Sequence, residues 1–297
     1  MGTLFRVELY AEDPVAAGEA VRAAWARVHQ LNDALSDYAP ESELMRFCRQ
    51  PAGTVVRLSP DLAGILRQAD EVNRLSGGAF DVTIGPLKRL WRQSRRDALL
   101  PAPERIAQAR ALTGWSKVRL LPDGAAILQV DGMRLDLGGI AKGHAADAAL
   151  EILRERGFPR AIVAASGDVV AGDAPPGETG WKVGVASLDD PDGLEDFVRL
   201  RHQALSTSGD TMQAAEIGGV GYSHILDPAT GIGLTVRRMV NVIAPSGTLA
   251  DAWATALSVS GPERSTVPDG LKFRFEEASA AGAGAARVVR RAWPSGP

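Results

Sequence analysis

Only one cysteine, Cys48, occurs in the 297 residues. A lone cysteine excludes an internal disulfide and any multi-cysteine metal site. Histidine is scarce as well. The four at 29, 144, 202 and 224 show no ligand spacing, which argues against zinc. No apolar run reaches the length that spans a bilayer. Charge of one sign is not in excess: the formal net charge is −3, so nothing suggests a general affinity for nucleic acid or anionic lipid. The glycine spacings match neither GxxxxGK[ST] nor GxGxxG, which disfavours the two familiar nucleotide loops. There is no 20–50-residue repeat and no linker that separates two domains, so one domain over 1–297 is expected. The start, Thr3-Leu4-Phe5-Arg6-Val7-Glu8-Leu9-Tyr10, alternates like a strand rather than a signal peptide. The expectation is a cytoplasmic protein, or one whose export signal or lipid anchor is not part of this sequence.

What is there is ordinary globular material, 45% hydrophobic and 23% charged. Residues 14–35 place Val21, Trp25, Val28, Leu31 and Leu35 at helical spacing. Ser42 is placed to cap a short helix through Phe47. Ser59 and Pro60 open another helix, with Leu62, Ile65, Leu66, Ala69, Val72 and Leu75 on its buried face. After Gly77-Gly78, the run 79–87 reads as β-type, and 92–102 reads as an exposed basic connection. A short helix follows over 103–112. A hairpin turns at Pro122-Asp123-Gly124. Strands are expected at 133–137, 161–165, 181–185, 197–200, 239–244, 271–275 and 287–289, the last two around an Ala/Gly segment at 278–286. Helices are expected at 145–156 and 248–260. Many strands with interspersed helices favour an α+β fold of mixed or antiparallel sheets with packed helices.

The chemistry-bearing residues stand where apolar runs end in glycine and small polar residues: 80–85, 135–143, 165–168, 204–210 and 222–231. Such placement gathers polar groups into one site. Asp136-Leu137-Gly138-Gly139-Ile140-Ala141-Lys142-Gly143 reads as strand, glycine turn and helix, with a lysine beside the turn. A turn packed between a strand and a helix explains it equally well. Asp251 and Thr255 are four apart on one helix face, an oxygen pair suited to Mg²⁺. A helix-start aspartate and a packed threonine are the alternative. His224 is the best acid–base candidate, standing at the mouth of the turn Asp227-Pro228-Ala229-Thr230-Gly231. Asp81 either edges a ligand or caps a turn. Tyr38, in a polar turn, reads as a partly buried packing residue.

Taken together, seven motifs resemble the ApbE-type FAD:protein FMN transferases. They are Leu35-Ser36-x-Tyr38-x-Pro40-x-Ser42-Glu43-Leu44, Gly77-Gly78-Ala79-Phe80-Asp81-x-Thr83-x-Gly85-Pro86-Leu87, the 135–144 stretch, Ser166-Gly167-Asp168, Thr207-Ser208-Gly209-Asp210, His224-x-x-Asp227-Pro228-x-Thr230-Gly231 and Ala250-Asp251-Ala252-x-Ala254-Thr255. They occur in this order over about residues 1–261, and the remaining strands to 297 are compatible. The resemblance implies a T-fold-related architecture. It also implies protein flavinylation, a post-translational modification in which FAD is substrate, a target flavoprotein supplies a Thr or Ser hydroxyl, and AMP is released. By the same resemblance Asp251, Thr255 and the carbonyl of Ala141 hold Mg²⁺, and Asp136 and Lys142 contact FAD. Met1, Tyr38, Ala79, Phe80, Asp81 and Ile225 line the flavin or adenosine pocket. His224 takes the hydroxyl proton, and Asp168 orients groups around it. Three positions depart from the family pattern: Ser166 stands for glycine, His144 for tyrosine and Cys48 for asparagine. Kinship implies a periplasmic or membrane-anchored location. An Mg²⁺-dependent FAD pyrophosphatase and a non-catalytic flavin binder stay open as alternatives.

Overall fold

The computed structural model describes residues 3–193, 196–209, 215–278 and 286–294. Met1, Asp210 and most of the 278–286 segment lie outside the described residues. The chain opens with β1 (Phe5–Leu9) and the long helix α1 (Pro14–Leu35). Asp13 caps α1 by accepting from the amides of Val15 and Ala16. Then come α2 (Glu43–Cys48), β2 (Val56–Arg57) and α3 (Pro60–Leu75). Ser42 and Ser59 cap the two helices as the sequence predicts.

The next segment corrects the expectation. Residues 79–87 are not a strand: Asp81 brackets a 3-10 turn at Val82–Ile84, and α4 runs Gly85–Asp97. Pro86, near its start, suits a helix's first turn, and Leu87, Leu90, Trp91 and Ser94 form a buried helical face. The exposed connection expected over 92–102 is therefore half helix. After α5 (Pro103–Ala111) come β3 (Val118–Leu120) and β4 (Ala125–Leu128), the expected hairpin. Residues 133–137 join no sheet, a second correction. The amide of Leu135 donates to Cys48 Sγ and that of Asp136 to the Val82 carbonyl, so side chain and turn replace a ladder. Helix α6 (Ala141–Glu155) begins four residues earlier than expected and takes Lys142 and Gly143 into its first turn.

The rest alternates strands with one more helix. β5 (Ala161–Ala165), β6 (Asp168–Ala171), β7 (Trp181–Gly184), β8 (Phe197–Leu200), β9 (Gln203–Gly209), β10 (Ala215–Ile217), β11 (Val220–Tyr222) and β12 (Arg238–Ala244) precede α7 (Gly247–Ser260), β13 (Lys272–Glu277) and β14 (Arg287–Arg291). Among the described residues, the main sheet runs β1-β5-β6-β9-β12-β13-β14, and every pairing is antiparallel.

Helices α1, α6 and α7 pack around one buried cluster against this sheet. Their approach is set by glycine. A methyl on Gly143 would stand 2.0 Å from the Gly247 carbonyl oxygen, and one on Gly247 would stand 2.6 Å from that of Gly143. Only hydrogen fits at this crossing. Asp147 locks it by accepting from the amides of Gly247 (2.6 Å) and Thr248 (2.9 Å) and from the Thr248 hydroxyl. The start of α7 is thereby fixed against α6, and Asp251 is carried to the first turn of α6.

Candidate active site

A cavity of about 710 Å³ opens between α4, the 136–142 stretch, α7 and the sheet strands. Every candidate residue that the structure describes lines it. Asp136, Ala141 and Lys142 come from the glycine turn and α6; Asp251 and Thr255 from α7; Asp168 from β6; His224 and Ile225 from the segment after β11. Tyr38 comes from the loop after α1, and Ala79, Phe80 and Asp81 from the loop after α3.

Lys142 is the centre of the charged cluster. Its Nζ lies 3.0 Å from each carboxylate oxygen of Asp251, 3.1 Å from the Gly138 carbonyl and 3.2 Å from Asp168 Oδ2. Burial works against its charge, yet the two carboxylates hold the amine well above the usual lysine range. Asp168 accepts from the Ser206 hydroxyl, and its Oδ2, though ion-paired, has no well-formed hydrogen bond. Burial and the charge of Asp251 push its carboxyl up to about 6. Two buried carboxylates thus share one ammonium, and the site is short of positive charge. Thr255 Oγ1 lies beside the glycine turn: a methyl on Gly139 would stand 2.8 Å from it. Carboxylate, hydroxyl and carbonyl oxygens are hard donors, so these residues fit a divalent cation of the Mg²⁺ type. Among the described residues no group of three or more His, Cys, Asp or Glu is arranged for a metal.

A second charged group lies along α4. Arg92 donates to Asp37 Oδ2 from both terminal nitrogens at 2.9 Å and to Asp136 Oδ2 at 3.0 Å. Asp136 also accepts from the amide of Gly138 at 2.9 Å, which fixes the glycine turn. Burial opposes its charge, but Lys88, Arg92 and that amide keep its carboxyl below the usual range. Tyr38 is not the packing residue expected of it. It is 69% exposed, and the Arg92 guanidinium stacks 4.5 Å from its ring centroid. Asp81 both lines the cavity and brackets its turn, accepting from Thr83 at 2.8 Å, and burial pushes its carboxyl up. His224 Nδ1 is buried with no hydrogen-bond partner among the described residues. Burial, then the charges of Lys88, Arg95 and Lys142, push its pKa down to about 4, so the ring is neutral at neutral pH.

Lys88, Arg92 and Asp37 escaped the sequence reading. The signal was present: Pro86 near a helix start, then cations at 88 and 92 on one face. The β-branched run Val82-Thr83-Ile84 masked it.

These features define a class, an α+β protein whose cavity sets hard-cation donors beside fixed ammonium and guanidinium groups, as phosphoryl chemistry requires. The model of the ApbE family matches residues 1–267. Curated relatives include the FAD:protein FMN transferase of Treponema pallidum, 32% identical over 286 residues covering 89% of this chain and 78% of that one. That of Klebsiella pneumoniae is 31% identical over 276 residues, covering 89% and 77%. The apo crystal structure of Pseudomonas stutzeri flavinyl transferase ApbE superposes with a TM-score of 0.85 at 28% identity, covering 98% of this chain and 92% of that one. The chain belongs to the ApbE family. No helix among the described residues is long and apolar enough to cross a membrane.

Proposed function

We propose that the chain is an FAD:protein FMN transferase that moves FMN from FAD onto a threonine or serine hydroxyl of a target flavoprotein and releases AMP. The observation that carries this reading is the convergence, in one cavity, of a neutral imidazole, an oxygen donor set and the Lys142 ammonium. Kinship with the named transferases supports it.

In this reading the acceptor hydroxyl oxygen bonds to the FMN phosphorus. The phosphoanhydride P–O bond breaks, and AMP leaves with the bridging oxygen. His224 takes the hydroxyl proton, as a neutral ring with an unpartnered nitrogen can. Asp251, Thr255 and the Ala141 carbonyl would hold Mg²⁺, which would supply charge neutralisation at the pyrophosphate. Asp136 anchors the glycine turn, and Lys142 adds a fixed charge beside it. Asp168, bonded to Ser206, orients Lys142. Tyr38, Ala79, Phe80, Asp81 and Ile225 enclose the flavin or adenosine, with Met1 assigned to the same group by resemblance.

The test is incubation with FAD, Mg²⁺ and a target bearing an acceptor threonine. The expected result is a mass gain of one FMN on the target with release of AMP. AMP and free FMN without that gain make the protein a pyrophosphatase, and bound FAD without AMP makes it a binder.

A further inference from the structure

Lys88 and Arg92 stand four residues apart on α4, share one face and line the cavity. They differ in what holds them. Arg92 is committed to Asp37, Asp136 and the ring of Tyr38. Lys142, on the α6 side, is committed to Asp251, Asp168 and the Gly138 carbonyl. Lys88 donates no hydrogen bond to any described residue. Its ion-pair partner is Asp136 Oδ1 at 3.8 Å, and Asp136 is already held by Arg92 and the Gly138 amide. The Lys88 side chain is only 24% exposed, so its charge sits largely out of bulk water. A methyl placed on Gly138 would lie 3.9 Å from Lys88 Nζ, which puts this ammonium at the glycine turn whose carbonyl Lys142 holds.

We propose that Lys88 is a substrate-contacting residue: its ammonium hydrogen-bonds a non-bridging oxygen of the dinucleotide's pyrophosphate from the α4 side of the Gly138–Gly139 turn, while Lys142 acts from the α6 side. A half-buried ammonium with its donors unspent, facing a cavity, is a receptor for an anion. Lysine suits the task as a compact point charge with three rotatable donors. The field of Lys88 also reaches the proposed base, since after burial it is the first of the charges that keep His224 unprotonated. The identity of the anion rests on the transfer reading; the anion-binding role of Lys88 rests on the geometry.

The experiment compares FAD, which carries the pyrophosphate, with riboflavin, which carries no phosphate, by flavin fluorescence titration in EDTA. Lys88→Met is expected to weaken FAD binding at least tenfold and to leave riboflavin within twofold, with native circular dichroism. Lys88→Arg is expected to restore most of the FAD affinity. The His224 titration, followed by NMR, is expected to move up in Lys88→Met, which lost packing alone would not produce. Equal loss of both ligands, or no loss of either, overturns the proposal. Wild-type protein that does not favour FAD over riboflavin overturns the proposal, since no pyrophosphate contact is then made. Selective loss of FAD in Lys88→Met without any FMN transfer by the wild type upholds Lys88 and overturns only the reaction.

Discussion

The Nζ of Lys142 lies 3.0 Å from both carboxylate oxygens of Asp251. One helix brings the amine, another the carboxylate, and the glycine crossing at Gly143 and Gly247 lets them meet. The pair defines the centre of the cavity, and the consequences of disturbing it can be measured.

Asp251→Ala removes the carboxylate assigned to the metal and leaves Lys142 with Asp168. Mg²⁺-dependent release of AMP is expected to fall at least about 100-fold, the scale of losing charge stabilisation at a transition state. A full rate across an Mg²⁺ titration would remove Asp251 from the metal assignment.

His224 carries a pKa pushed down to about 4 by burial and nearby cations. Its folded value lies below the ordinary histidine range, so its contribution to stability is present above about pH 6.5 and is lost as pH falls through about 4. For catalysis, kcat/KM should be flat from pH 6 to 8 as far as this group is concerned, with its acid limb near pH 4. His224→Ala should bind FAD within about threefold and transfer FMN about 10²–10⁴-fold more slowly. An unchanged transfer rate would exclude it as the base.

Asp168 behaves in the opposite sense. Burial and Asp251 raise its carboxyl to about 6, so its contribution is fully present below about pH 4 and is lost as pH rises through 6. Metal-free protein should therefore lose melting temperature between pH 5 and 7. Asp168→Asn should abolish much of that loss and be more stable at pH 7.5 by no more than about 3 kcal/mol. Identical pH profiles of melting temperature for the two proteins in EDTA would refute the shift.

Ser166 adopts a φ of +58° in the turn between β5 and β6. A left-handed serine is strained, and glycine there is not. Ser166→Gly is expected to gain about 0.5–1 kcal/mol, less than the full strain because glycine also loosens the unfolded chain. A denaturant melt that shows no gain, or a loss, would mean that the hydroxyl makes up the difference.

Much of the fold was legible because local rules agreed with the tertiary outcome. Ser42 and Ser59 cap helices, Pro122-Asp123-Gly124 turns a hairpin, and apolar spacing marks α1 and α3. The misreadings fall where tertiary context overrode propensity. Val82-Thr83-Ile84 is β-branched yet forms a 3-10 turn ahead of α4. Within 133–137, Leu135 and Asp136 donate to Cys48 and Val82 instead of to a sheet.

The sequence alone determined most of the helices, the Ser42 and Ser59 caps and the family, because these rest on neighbours a few residues apart and on motifs at fixed spacing. The tertiary structure alone decided that Tyr38 is an exposed ring stacked on Arg92, that Asp168 and Asp251 share one lysine, and that Lys88 faces the cavity with its donors unspent. Those facts depend on side chains 26 to 109 positions apart, from Lys142 with Asp168 to Lys142 with Asp251. Charge and burial at such pairs exist only once the chain has folded, so no local pattern encodes them.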